Sequence, residues 1–175
     1  MELKIKKLSD KAIMPIRAHN SDAGLDLTTT SITSEINECG QFILVYHSDI
    51  AVEIPDGYVG LLFPRSSIAK KSIQFTNAVG VIDSGYRGEI MAKVRNTSGD
   101  SIPAVYKVGE KFAQLVIVPY VSDITISEVS ELQESDRGTG GYGSSDTKED
   151  ISAAKQSDAS EDKQAVEFET SEAVA

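Results

Sequence analysis

Short apolar runs separated by turn residues fill the stretch from Pro15 to Gly143. Gln41–Tyr46 and Ile50–Ile54 are rich in Ile, Val and Phe, and Tyr58–Phe63 follows a Pro-Asp-Gly turn. Glu89–Asn96 alternates, with Ile90, Ala92 and Val94 on one side, and Phe112–Val118 and Val121–Val129 close the series. Residues that suit a pleated, half-buried surface, cut at intervals of about ten by Gly and Pro, predict strands. Short strands at that spacing predict an all-β sandwich, jelly roll or barrel. One segment, Ser66–Ser72, reads as a short helix with a serine placed to cap its first turn. From about Glu131 onward the apolar periodicity stops, and a β core over residues 1–136 is expected.

Composition narrows the class. The chain has 175 residues and a net charge of −10, room for one domain of ordinary size. Nine acidic and three basic groups fall within residues 146–175, where the bulky apolar side chains are Ile151, Val166, Phe168 and Val174. So few cannot offset the entropy of ordering, so this acidic tail is predicted to be disordered, a helix over Ser160–Glu172 lacking an adequate apolar stripe. A tail of this kind suits contact with a protein partner. With no broad basic footprint, binding to a nucleic-acid backbone is not expected. The single cysteine, Cys39, cannot form an internal disulfide, and the opening residues lack a signal-peptide apolar stretch. No window reaches the length of a membrane helix. A soluble intracellular location, cytoplasmic or nuclear, is the expectation.

Four clusters carry candidate chemistry. Phe63-Pro64-Arg65-Ser66-Ser67 joins a strand to the short helix, offering hydroxyls, backbone N–H groups and a guanidinium fork to phosphate oxygens; a capped helix beside an unrelated arginine is the plainer reading. Asn77–Glu89 reads as a hairpin that holds the carboxylate of Asp83 beside the ring of Tyr86, an arrangement hairpins also adopt without function. Asp22 and Asp26 are hard oxygen ligands of the kind Mg²⁺ uses one or two at a time. The Gly-rich run Arg137–Ser145 can wrap an anion or serve as a linker. His19, His47 and Cys39 lack transition-metal spacing.

Taken in order, these segments resemble the five motifs of the trimeric deoxyuridine triphosphatases (dUTP pyrophosphatases). They are Asp22-Ala-Gly-Leu-Asp26-Leu27, Pro64-Arg-Ser-Ser67, Gly80-Val-Ile-Asp83-Ser-Gly-Tyr86-Arg-Gly-Glu89, Gly109-Glu-Lys-Phe-Ala-Gln114-Leu115 and Arg137-Gly-Thr-Gly-Gly-Tyr142-Gly-Ser-Ser145. The resemblance spans about residues 3–145 and leaves out the tail.

It implies a jelly-roll-like distorted β-barrel with one short helix and a flexible C-terminal arm, assembled as a homotrimer with active sites shared between subunits. The implied reaction is Mg²⁺-dependent hydrolysis of dUTP to dUMP and pyrophosphate, which limits uracil in DNA and supplies dUMP for thymidylate synthesis. By motif position Asp83 would activate water, and Asp26 would hold the metal through water. Arg65, Ser66, Ser67, Gln114, Arg137, Gly143 and Ser144 would bind phosphates. Asn77, Gly80, Val81, Ile82, Tyr86, Met91 and Tyr142 would hold the nucleoside, and residues 137–145 would act as a lid. Three positions depart from the pattern: Lys111 replaces an arginine, Tyr142 a phenylalanine, and Ser144-Ser145-Asp146 a Ser-Thr-Gly ending. A dCTP deaminase of the same fold and a regulatory protein-binding module are the competing readings.

Overall fold

The computed structural model describes residues 2–98 and 104–141. Two units divide the chain, Met1–Thr125 and Ile126–Ala175. Among the described residues, all regular structure belongs to the first: β1 (Lys4–Lys7), β2 (Leu25–Thr28), β3 (Ser31–Ile36), β4 (Phe42–Glu53), β5 (Tyr58–Pro64), β6 (Ile73–Phe75), β7 (Gly80–Ile82), β8 (Glu89–Asn96) and β9 (Lys111–Pro119), with a 3₁₀ helix over Ser66–Lys70.

Two antiparallel sheets result, as the all-β reading predicts. One runs β1-β4-β8-β6 with β3 also on β4, and the other runs β2-β9-β5-β7. Their inner faces share one core that includes Leu27, Tyr46, Ile50, Ile90, Phe112 and Leu115, each at most 1 % exposed. Tyr46 stacks on Phe112 with ring centroids 5.5 Å apart. Burial pushes the Tyr46 phenol up to about 12, so it stays neutral and serves as a hydrogen-bonding group.

Sequence expectation and fold differ in four places. The apolar runs Gln41–Tyr46 and Ile50–Ile54 belong to one strand, β4, and no turn separates them. Between His47 and Ala51, four residue steps on β4 oppose two on β8, a bulge centred on Asp49, whose φ is +52°. An even number of extra residues leaves the faces unchanged, so Tyr46, Ser48, Ile50 and Val52 all point inward. The predicted strand Val121–Val129 joins no ladder among the described residues. Its apolar residues are spaced three, two and three apart and so share no single strand face, and Val121, Ile124, Ile126 and Val129 are 58–94 % exposed. The predicted cap is also absent: Arg65 occupies the N-cap position and no side chain makes a capping hydrogen bond, and the helix is 3₁₀ and five residues long. Finally, Asn77–Glu89 is no hairpin, because β7 pairs with β5 while β8 pairs with β4 and β6 in the other sheet.

In the second unit, the described residues Ile126–Gly141 carry no helix or strand and include a bend at Ser130 and a turn at 136–139. Gly138 has φ +51° and donates its N–H to the Ser135 carbonyl, 2.9 Å away. Arg137 Nε donates to the Gly140 carbonyl at 3.1 Å. Tyr142, Gly143, Ser144 and the 146–175 tail lie outside the described residues. No described helix is long and apolar enough to cross a membrane.

Candidate active site

Splaying β7 away from β8 opens a cleft of about 270 Å³ lined by Leu62, Asn77, Gly80, Val81, Ile82, Asp83, Tyr86, Glu89, Met91 and Lys93. A true hairpin would fill this slot with its own ladder. The Lys93 carbonyl accepts a hydrogen bond from Thr76 N–H just past the end of β6, so Lys93 faces that edge of β8. Two residues back, the Met91 backbone faces the same edge, past the end of β6, and so opens on the cleft. A ring with donors and acceptors on its rim can pair with such an edge.

The cleft mouth is the turn 83–88. Tyr86 N–H donates to the Asp83 carbonyl at 3.0 Å, and Tyr86 Oη donates to the Glu89 carbonyl at 3.0 Å. The Asp83 side chain is exposed. Gly88 lets the ring lie down, since a Cβ there would come within 2.6 Å of Tyr86 Cζ. At the other end Ala78 is held at φ +55° with Val79 N–H donating back to the Asn77 carbonyl. This three-residue turn with positive φ at a non-glycine is strained, and such strain concentrates at binding sites.

Glu89 is occupied in holding the bulge. Its Oε1 accepts from Asp49 N–H at 2.8 Å, and its Oε2 lies 3.1 Å from His47 Nδ1. Asp49 in turn accepts from Ser9 Oγ at 2.6 Å. The third motif is thus fastened to the neighbouring strand by its last residue.

A second cleft, about 350 Å³, gathers the other core motifs: Ala18, Asp22, Ala23, Gly24, Asp26, Phe63, Arg65, Ser66, Gln114 and Val116. Register assembles it. Gln114 on β9 pairs with Asp26 on β2 and with Phe63 on β5, so three segments far apart in sequence form one row across the sheet. Gln114 Nε2 donates to the Pro64 carbonyl at 3.0 Å, and its side chain crosses Gly24, where a Cβ would lie 2.6 Å from Gln114 Oε1. A larger residue there would push the Gln114 amide aside.

Asp26, 8 % exposed, stands between two cations. Arg65 Nε donates to Oδ1 and Lys111 Nζ to Oδ2, both at 2.8 Å. The carboxylate therefore aims Arg65 and neutralises part of its charge, and Lys111, named from sequence only as a departure, becomes the second partner. Asp22 Oδ2 accepts from His19 N–H, which holds the Asp22 carboxyl below its usual range. Among the described residues no group of three or more His, Cys, Asp or Glu could hold a metal ion.

Ser67 faces a neighbour that sequence reasoning missed. Its Oγ lies 2.9 Å from the hydroxyl of Tyr106, a residue 3 % exposed and 39 positions away. No local pattern links positions so distant. The two clefts share no lining residue. Together the structure brings Asn77, Gly80, Val81, Ile82, Asp83, Tyr86 and Met91 to one, and Asp26, Arg65, Ser66 and Gln114 to the other.

Comparison with known proteins agrees. A dUTPase family profile matches residues 10–146. The chain is 41 % identical over 149 residues to the deoxyuridine 5'-triphosphate nucleotidohydrolase of Clostridium acetobutylicum, covering 85 % of this chain and 99 % of that one. It is 42 % identical over 147 residues to that of Rhodococcus erythropolis, covering 83 % and 86 %. Among solved structures it is similar to the dUTPase of Staphylococcus bacteriophage 80alpha with dUPNHPP, at TM-score 0.67 and 32 % identity over 83 % of this chain and 99 % of that one. A mutant dUTPase from phage phi11 of S. aureus, described with a structural Mg(II) ion, aligns at TM-score 0.61 and 30 % identity over 75 % and 98 %. On its fold, its motif geometry and these matches, the chain belongs to the dUTPase family.

Proposed function

We propose that the chain hydrolyses dUTP to dUMP and pyrophosphate by attack of a water, activated by Asp83, on the α-phosphorus. The observation that carries this is the slot between β7 and β8, with a free strand edge inside it and Asp83 and Tyr86 at its mouth. Asn77, Gly80, Val81, Ile82 and Met91 line the place for uracil, and Tyr86 packs against deoxyribose so that a 2′-hydroxyl finds no room. A cytosine presents a donor where uracil presents an acceptor, leaving buried groups unmatched at about 1–3 kcal/mol each.

Arg65, Ser66, Ser67 and Gln114 hold the phosphate chain, drawing charge toward the leaving pyrophosphate. Fixing a flexible triphosphate in line with water supplies much of the rate, which accounts for many binding residues beside one base. Arg137, Tyr142, Gly143 and Ser144 belong to the lid that closes over the nucleotide.

The donor set fits Mg²⁺ carried on the triphosphate rather than a metal caged by the protein. Each Asp26 oxygen spends one lone pair on a cation and keeps another to accept from a metal-bound water. When bound, the metal neutralises phosphate charge.

Two observations support a homotrimer with shared sites. The nucleoside and phosphate clefts are separate within one chain. The segment 121–129 carries four exposed aliphatic side chains and joins no ladder among the described residues, as a segment that adds to another copy would. The deaminase reading would need a carboxylate available at the base, and Glu89 is committed to Asp49 and His47.

Turnover of dUTP, dCTP, dTTP and UTP by the purified chain tests the proposal. Pyrophosphate from dUTP far above the other three is expected. Ammonia release from dCTP, or equal turnover of UTP, would overturn it.

A further inference from the structure

Three contacts staple the phosphate-binding turn to the segment before β9. Ser67 Oγ meets Tyr106 Oη at 2.9 Å, Lys71 Nζ donates to the Val105 carbonyl at 3.0 Å, and Ser72 N–H donates to the Ala104 carbonyl at 2.8 Å. Lys71 Nζ also sits 4.8 Å from the centre of the Tyr106 ring. Tyr106 is in turn anchored in the core, its N–H donating to Tyr46 Oη at 3.1 Å and its ring edge-on to Tyr46 at 6.0 Å. A rigid aromatic column therefore leads from the centre of the protein to the Ser67 hydroxyl.

Direction matters in that last hydrogen bond. A hydroxyl has one hydrogen to give. Among the described residues, Ser67 Oγ is the partner of the Tyr106 hydroxyl, which is buried and must place its hydrogen on an acceptor. Half-buried Ser67 borders, with Tyr106 itself, a cleft whose charged lining is Arg65, Lys70, Lys71 and Lys111 against Glu110, so an outward hydroxyl hydrogen would face a mainly basic space suited to an anion.

We propose that Tyr106 is a positioning residue for phosphate recognition: its buried hydroxyl donates to Ser67 Oγ, which turns the hydrogen of Ser67 outward to donate to the phosphate chain. The inference rests on the reading of Ser67 as a phosphate ligand in dUTP hydrolysis. It differs from a packing role, which the ring alone would satisfy.

Tyr106→Phe removes the oxygen and keeps the ring, the Tyr46 contact and the Lys71 contact. Losing one oriented hydrogen bond lowers kcat/KM for dUTP about fivefold. Inhibition by dUMP, which lacks the outer phosphates, should move far less than inhibition by a non-hydrolysable dUTP analogue. In a Ser67→Ala background the same change should have no further effect on kcat/KM. Melting temperature is recorded for each variant. A Tyr106→Phe enzyme with wild-type kcat/KM, whatever its melting temperature, overturns the proposal. So does equal weakening of dUMP and the triphosphate analogue, or a full additive loss in the double variant. Failure of the wild-type chain to turn over dUTP would instead overturn the reading of the function itself.

Discussion

Asp26→Asn is the sharpest perturbation of the cleft proposed to hold the phosphates. It keeps shape while removing the negative charge that Arg65 and Lys111 share. One of its two oxygens becomes an NH₂ group aimed at a cation, so one bond is lost outright and the other loses its charge. A hydrogen bond to a charged group is worth about 1.5–3 kcal/mol. Both cations are about a third exposed, at 30 % and 33 %, and solvent screens what they lose. One bond lost and one weakened, both screened, come to about 2–3 kcal/mol together. For a chain of this length each kcal/mol shifts the melting temperature about 2–4 °C, giving a fall of about 4–12 °C. Arg65 also loses its aim, and kcat/KM for dUTP should drop about tenfold for each 1.4 kcal/mol of lost orientation. Differential scanning fluorimetry beside a pyrophosphate-release assay reads both. A variant melting within about 1 °C of wild type would refute the bridging role of Asp26, since a loss of about 2–3 kcal/mol would be missing.

Three further outcomes are expected. Gly88→Ala should displace the Tyr86 ring, whose Cζ would stand 2.6 Å from the new Cβ, so melting changes little while discrimination between dUTP and UTP, measured as a ratio of kcat/KM values, narrows. The Lys107 N–H holds the Glu110 carboxyl below its ordinary 4.5, with Lys71 adding to the effect. A depressed pKa contributes stability above the unfolded value that is lost as pH falls through the folded one. The melting-temperature gap between wild type and Glu110→Gln should therefore be full at neutral pH and close as pH drops below 4.5; a gap that widens in acid would contradict this. Truncation after Ser145 should leave hydrolysis intact, whereas truncation after Asp136 removes Arg137 and the Gly-rich run and should cripple it; loss of activity from the first cut would assign the acidic tail to the site.

Much of the core was legible because its physics is local. Alternation in Glu89–Asn96 and the apolar runs around Tyr58–Phe63 and Phe112–Val118 fix both strand type and buried face. What sequence pattern could not convey is which edge finds which partner. The two runs of β4 read as separate strands, and the bulge at Asp49, tied to Glu89 and Ser9, joins them into one. The runs flanking Asp83 also look like a hairpin, yet they separate into different sheets, and that separation makes the cleft. The aliphatic side chains of Val121, Ile124, Ile126 and Val129 are left uncovered by the described residues of a single chain. In the site, the roles of Asp26 and Gln114 follow from register across β2, β9 and β5. The Ser67–Tyr106 contact comes from packing between segments 39 positions apart, for which no local signal exists. The serine expected as a helix cap is displaced by one residue, since Arg65, pulled toward Asp26, takes that place.

In the proposed reaction Asp83, at the mouth of the β7–β8 cleft, activates the attacking water. Mg²⁺-dependent release of pyrophosphate from dUTP by wild type and Asp83→Asn, with nucleotide binding measured alongside, tests it most directly. Turnover should collapse by at least about a hundredfold, the scale of general-base catalysis, while the variant still binds a non-hydrolysable dUTP analogue. An Asp83→Asn enzyme that retains wild-type turnover would contradict the assignment.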